Sequence, residues 1–265
     1  MTRHVSEAFA IAKSENRAAL IGYLPAGFPN PELSVKLINA MVTSGVDIIE
    51  VGLPYSDPLM DGPVIQQAVD QALAAGTTTD VVLDIVKQVV DAGAIAVVMS
   101  YWNPIERYGV ERFAAGLEAA GGSGVIAPDL TPEESGDWSV ASDAHFVDRI
   151  LMVAPSSTDA RINAIVSVTS GFVYAASTMG VTGARTTVSS GAHDLVTRTR
   201  AATSLPIAVG LGVSTGDQAA EIAAYADGVI VGSAFVRRVL DAANDEAAIE
   251  AVSKLAQELA AGVRR

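Results

Sequence analysis

The sequence predicts a single (β/α)₈ TIM barrel with extra helices, one domain over residues 1–265. Three observations predict it. Short apolar runs alternate with stretches of helical period along the whole chain. The 265 residues, half of them hydrophobic, suit one large core and match the usual length of an eight-stranded α/β barrel. No linker, low-complexity tract or block of charge divides the chain. A doubly wound open sheet is the alternative, but it usually has fewer strands.

Taken in order, a short helix precedes the first strand. Strands are expected at 18–23, 47–51, 95–99, 124–127, 149–153, 172–175, 206–210 and 228–231. Residues 94–99, Ala-Ile-Ala-Val-Val-Met, show the type: strand length and uniformly apolar, as in a sheet buried on both faces. Helices are expected near 31–44, 63–75, 78–91, 110–120, 131–142, 158–169, 187–202 and 215–225, with further ones at 233–240 and 244–262. In such a barrel the loops leaving the C-terminal ends of the strands build the functional site.

Residues 50 to 62, Glu-Val-Gly-Leu-Pro-Tyr-Ser-Asp-Pro-Leu-Met-Asp-Gly, lie on one of those loops. Side chains alternate along a strand, so Ile48 and Glu50 share a face. A carboxylate on an apolar face loses hydration and its pKa rises, which suits proton transfer near neutral pH. Asp57 and Asp61 follow on the loop, Asp61 just before Gly62-Pro63, where a helix should start. The plainer alternative is a buried Glu paired with an Arg, plus a helix-capping Asp.

The last two strands end in glycine, as Pro206-Ile-Ala-Val-Gly210-Leu-Gly212 and Gly228-Val-Ile-Val-Gly232-Ser233. Glycine there lets a phosphate approach the backbone amides, and the helix opened by Ser233 would point its N-terminus at the anion. These are the two loops that form the recurrent phosphate site of this barrel class. Ordinary tight turns have a similar composition. After the sixth strand, Ser177-Thr-Met-Gly180-Val-Thr182-Gly183-Ala-Arg185 is rich in small residues and resembles a mobile lid; a rigid surface loop is the alternative.

Absent residue types narrow the chemistry. There is no cysteine, which excludes disulfides, thiolate nucleophiles and zinc–thiolate sites. The lysines are Lys13, Lys36, Lys87 and Lys254, none at a strand end, so Schiff-base catalysis is not expected. The histidines His4, His145 and His193 lie off the predicted loops, which disfavours a metal site; none is expected. Gly212-Val-Ser214-Thr-Gly216 matches a nucleophile elbow, but no histidine follows it. Ser214 reads better as the N-cap of the next helix. The N-terminus does not resemble a signal peptide, and no apolar stretch approaches the roughly 18 residues of a membrane span. A net charge of −13 argues against nucleic acid or an anionic membrane as partner.

The segment Glu50-Val-Gly-Leu-Pro-Tyr-Ser-Asp-Pro-Leu-Met-Asp61-Gly-Pro closely resembles the signature of the tryptophan synthase alpha family. The resemblance continues through Pro128-Asp129-Leu130, Ala154-Pro155-Ser-Ser-Thr158, Gly180-Val-Thr-Gly183, Gly210-Leu-Gly212 and Gly232-Ser233-Ala234. It implies a retro-aldol cleavage of indole-3-glycerol phosphate to indole and glyceraldehyde 3-phosphate. It also implies residue roles. Glu50 would protonate the indole ring carbon and help move the substrate's hydroxyl proton. Asp61 would bind the indole N–H. Tyr174 would sit near the substrate and Glu50, and Tyr23 and Leu211 would line the indole pocket. Gly183, Gly212, Gly232 and Ser233 would bind phosphate, and Thr182 would meet Asp57 when the lid closes. Leu211 stands where many members carry phenylalanine, and Ser177-Thr178-Met179 where others carry a basic residue. The resemblance further implies an α₂β₂ complex, with contacts through 54–61 and the loop 101–108. Pyridoxal phosphate is expected only in the partner beta subunit, no cofactor in this chain, and a cytoplasmic location. Another phosphate-binding barrel isomerase or epimerase is the alternative, though a metal-dependent epimerase would need strand-end histidines. A weakly active regulatory subunit is a third reading, against which Glu50 and Asp61 both argue.

Overall fold

The computed structural model describes residues 4–176, 190–210 and 212–265. The strands are β1 (Ala19–Pro25), β2 (Ile48–Gly52), β3 (Ile95–Met99), β4 (Gly124–Ile126), β5 (Asp148–Ile150), β6 (Met152–Val153), β7 (Val173–Ala176), β8 (Ile207–Gly210) and β9 (Gly228–Val231). All pair in parallel, in the order β5-β4-β3-β2-β1-β9-β8-β7-β6. The two ends of that order are consecutive pieces of one segment. The single strand expected at 149–153 is split at Leu151: its first half pairs with β4 and its second with β7. Leu151 spans the break, its carbonyl accepting from Tyr174 N at 3.1 Å. The sheet therefore closes on itself as a barrel of eight positions.

The helices are α1 (Val5–Ser14), α2 (Pro31–Thr43), α3 (Pro63–Ala74), α4 (Thr79–Asp91), α5 (Trp102–Tyr108), α6 (Val110–Ala119), α7 (Gly136–Ala144), α8 (Asp159–Val168), α9 (Ser190–Ala202), α10 (Gly216–Ala223), α11 (Ser233–Leu240) and α12 (Asp245–Gly262). Three differ from expectation. Residues 102–108, expected as a loop, are helical. Pro104 sits in the first turn, where an N–H has no partner inside the helix. The helix start is held from outside, Trp102 N donating to both carboxylate oxygens of Asp129 at 2.9 and 3.1 Å. The helix expected at 131–142 begins only at Gly136. Before it, Glu134 N bonds Thr131 O and Ser135 Oγ bonds Pro132 O, a local turn that competes with helix. Thr215, not Ser214, caps α10, its side chain accepting from Gln218 N at 3.3 Å.

Strand alternation sorts the core into two parts. Outward residues such as Ile49, Val51 and Val98 pack under the helices. Inward residues, among them Ile21, Ile48, Val97 and Ile230, fill the barrel together with one face of α1. Phe9 of α1 packs on Phe172 with ring centroids 5.4 Å apart, closing the N-terminal end. The C-terminal end is left to the loops.

Candidate active site

Glu50 stands on the inward face of β2, two residues beyond Ile48, and pairs in register with Tyr23 on β1 and Val97 on β3. It is 1% exposed, and its Oε2 has no hydrogen-bond partner among the described residues. Among the described residues no arginine pairs with it. The nearby Arg17 is spent on Asp47 at the other end of the strand, through bonds of 2.7 and 2.9 Å. Burial, reinforced by the charge of Asp61, pushes the Glu50 carboxyl up to about 8. It therefore holds a proton at neutral pH and can still release it.

Asp61 lies half-buried on the loop between β2 and α3. Its side chain does not cap α3, whose N-cap is Gly62. Instead Tyr101 Oη donates to Asp61 Oδ1 at 2.8 Å. Burial raises the Asp61 pKa, and the bond from Tyr101 opposes that rise. The two carboxyls thus face one pocket in different environments: burial raises both, and only Asp61 has a hydroxyl donor that opposes the rise.

Tyr23 and Tyr174 complete the inner wall, 8% and 5% exposed. Burial drives both phenols well above their usual pKa, so they stay protonated. Each hydroxyl lies against a strand-end glycine. A Cβ on Gly52 would strike the Tyr23 ring, and one on Gly210 the Tyr174 hydroxyl. Gly210 thus makes room for Tyr174, a nearer need than the phosphate approach for which it was read.

Gly212, Gly232 and Ser233 line the same pocket as the acids. Gly212 has φ 93°, a conformation that favours glycine. Ser233 is the first residue of α11, so the helix N-terminus faces the pocket. Seven expected site residues therefore line one pocket: Tyr23, Glu50, Asp61, Tyr174, Gly212, Gly232 and Ser233. Asp57 does not; it is exposed, and its carboxylate accepts from Ser56 Oγ at 2.6 Å. Thr182, Gly183, Leu211 and the expected lid at 177–185 lie outside the described residues.

Met60, Ile65, Met99 and Ile230 also line the pocket and were not foreseen. Met99 and Ile230 were findable, since alternation from Val97 and Gly228 puts both inward at the C-terminal end. They supply an apolar slab beside the acids, suited to a flat aromatic ring. Among the described residues no cluster of three or more His, Asp or Glu could hold a metal ion.

The comparisons with known proteins agree with this geometry. The profile of the family described as Tryptophan synthase alpha chain matches residues 9–264. The tryptophan synthase alpha chain of Thermobifida fusca is 62% identical over 258 residues, covering 96% of each chain. That of Acidothermus cellulolyticus is 59% identical over 261 residues, covering 98% of this chain and 97% of the relative. A solved structure of Mycobacterium tuberculosis tryptophan synthase superposes with a TM-score of 0.93 at 51% identity, covering all of both chains. On this match of sequence, fold and pocket, the chain belongs to the tryptophan synthase alpha chain family.

Proposed function

We propose that Glu50 and Asp61 carry out the alpha reaction of this family in a single catalytic domain over residues 1–265. The reaction is the cleavage of indole-3-glycerol phosphate to indole and glyceraldehyde 3-phosphate, a carbon–carbon lyase step of tryptophan biosynthesis. The single observation that carries the assignment is the buried Glu50 carboxyl, its Oε2 without a hydrogen-bond partner among the described residues and its pKa near 8, in one pocket with Asp61. Protonated Glu50 delivers its proton to the ring carbon that bears the side chain. The ring nitrogen becomes positive, and the Asp61 carboxylate stabilises that charge through the N–H. Glu50, now a base, helps take up the proton of the adjacent hydroxyl. The carbon–carbon bond breaks, its electron pair returns to the ring, and the aldehyde leaves. Glu50 ends the cycle protonated, as it began.

Tyr23, Met99 and Ile230 hold the indole, while Gly212, Gly232 and Ser233 hold the phosphate. Thr182, Gly183, Leu211 and Asp57 keep their family roles in this reading. The chemistry needs no cofactor in this chain; pyridoxal phosphate belongs to the beta subunit, which takes the indole. The contact surface is the loop 54–61 with α5. Its side chains are already joined, Asn103 Nδ2 donating to Tyr55 Oη at 2.9 Å, and Leu59 stands 73% exposed on it. Among the described residues no helix is long and apolar enough to cross a membrane, and the reading places the reaction in the cytoplasm.

The test is indole release by Glu50→Gln, measured with and without the cognate beta subunit. Loss of a general acid–base costs on the order of 10² to 10⁴ in rate. Substrate binding should be largely retained. Near-wild-type turnover in Glu50→Gln would end the assignment.

A further inference from the structure

Asp61 sits on a loop, yet the reaction requires its carboxylate at a fixed place beside the indole nitrogen. The tie that fixes it comes from the neighbouring loop, the one that follows β3. Tyr101 Oη donates to Asp61 Oδ1 at 2.8 Å and accepts from Met60 N at 3.1 Å. One hydroxyl thus grips both the side chain of Asp61 and the backbone just before it. The Tyr101 ring is 5% exposed and lies 5.7 Å from the Tyr55 ring. Its own backbone is pinned on both sides. Ser100 Oγ donates to Tyr101 O at 2.8 Å, and the next amide, Trp102 N, is held by Asp129. The Tyr101 hydroxyl therefore projects from the end of β3 and the start of α5 onto the loop between β2 and α3. Neither proton transfer nor ring binding uses this tyrosine.

We propose that Tyr101 is the positioning residue for Asp61: its hydroxyl holds Oδ1 and leaves Oδ2 to accept the indole N–H. The inference rests on the role assigned to Asp61 above. A donor on Oδ1 fixes the carboxylate plane, which a loop aspartate cannot do for itself. A displacement of about 1 Å at a reacting group can cost roughly a hundredfold in rate. The same donor favours the ionised carboxylate. The other groups facing Asp61 are Glu50 on β2 and the phenol of Tyr23 on β1, and neither supplies a positive charge. Because Tyr101 is also the residue from which α5 departs, a partner seated on α5 would act on Asp61 through this bond.

The experiment is Tyr101→Phe in the complex with the beta subunit, compared with Asp61→Asn. Phenylalanine keeps the ring against Tyr55 and removes only the hydroxyl. We expect kcat for indole release to fall about 10- to 100-fold while KM stays within about threefold. The acid limb of the kcat profile should move to higher pH, because Asp61 loses the donor that favours its charged form. Glycerol phosphate binding, measured by calorimetry, should be unchanged, which shows that the variant has folded. Wild-type kcat and acid limb in Tyr101→Phe, beside a large loss in Asp61→Asn, would overturn this inference alone. A rise in KM with kcat intact would do the same. Full activity in Asp61→Asn would overturn the role of Asp61 and this inference with it.

Discussion

At the N-terminal end of the barrel interior, Ile21, Ile48 and Phe172 form a dry layer against Phe9 of α1. Two residues further along the same three strand segments, on the same inward face, stand Tyr23, Glu50 and Tyr174. Alternation sends both sets into the barrel, so facing inward does not by itself decide what a residue does. Position along the strand decides it. The first layer is sealed by a helix and rewards apolar volume. The second opens to the loops, and there a buried acid can meet a substrate. An uncompensated carboxyl is costly to bury, and the protein tolerates it by keeping it protonated.

Phe9→Ala tests the sealed end. Removing a buried phenylalanine costs about 3–5 kcal/mol of stability. We expect a lower denaturant midpoint, read by urea unfolding, with kcat for the folded enzyme unchanged. Glu50→Gln should show the reverse pattern, losing rate without losing stability. If Phe9→Ala slows indole release as much as Glu50→Gln does, the two layers are not functionally separate.

A titration sharpens the contrast further. The folded-state pKa of Glu50 is near 8, against 4.5 for the free group. Below about 4.5 both states hold the proton. Between there and pH 8 only the folded state does, so stability falls as pH rises and the contribution is lost above 8. At about 1.4 kcal/mol per unit the loss is on the order of a few kcal/mol. Glu50→Gln should therefore gain on the wild type between pH 5 and 9, roughly as the linkage predicts. The same stability difference at both pH values would show that Glu50 is not the buried proton store described here.

The contrast also marks what the sequence could reveal. Short apolar runs located every strand, because burial on both faces leaves a continuous hydrophobic signature. An acid at the end of such a run located Glu50, and the glycines at the last two strands located Gly212, Gly232 and Ser233. The split of the strand at Leu151 was not legible, since pairing with β4 or β7 is decided by closure of the barrel and not by local composition. Helix α5 was missed because its N-terminus is capped by Asp129 from another loop. Tyr101 was missed for the same reason: its importance lies in a bond to a residue 40 positions away. Local pattern gives the elements and the layer, while cross-loop hydrogen bonds are written only in the fold.

Two glycines on β9 and its end give the finest version of the comparison. Gly228 and Gly232 share the inward face, four residues apart, one in each layer. A Cβ on Gly228 would lie 3.0 Å from Ala208 Cβ and 3.1 Å from Phe9 Cε1, inside a layer with no room to yield. A Cβ on Gly232 would lie 3.6 Å from Tyr23 Cβ, an ordinary contact, though φ −116° with ψ −82° falls outside the usual α and β regions, so an alanine there carries some backbone strain. Gly228→Ala should overpack the sealed end and cost about 1–3 kcal/mol of stability, leaving glycerol phosphate affinity intact. Gly232→Ala should cost less stability than Gly228→Ala and, on the proposed role of this glycine, put a methyl group where the phosphate would approach the α11 N-terminus. We expect about a tenfold loss of glycerol phosphate affinity, about 1.4 kcal/mol, with the affinity for bare indole retained. Calorimetry on both variants with both ligands decides the matter. If Gly232→Ala weakens indole as much as glycerol phosphate, that glycine serves the ring pocket and the phosphate lies closer to Gly212. If Gly228→Ala is the variant that loses glycerol phosphate, the division of the barrel into a sealed end and a working end is wrong.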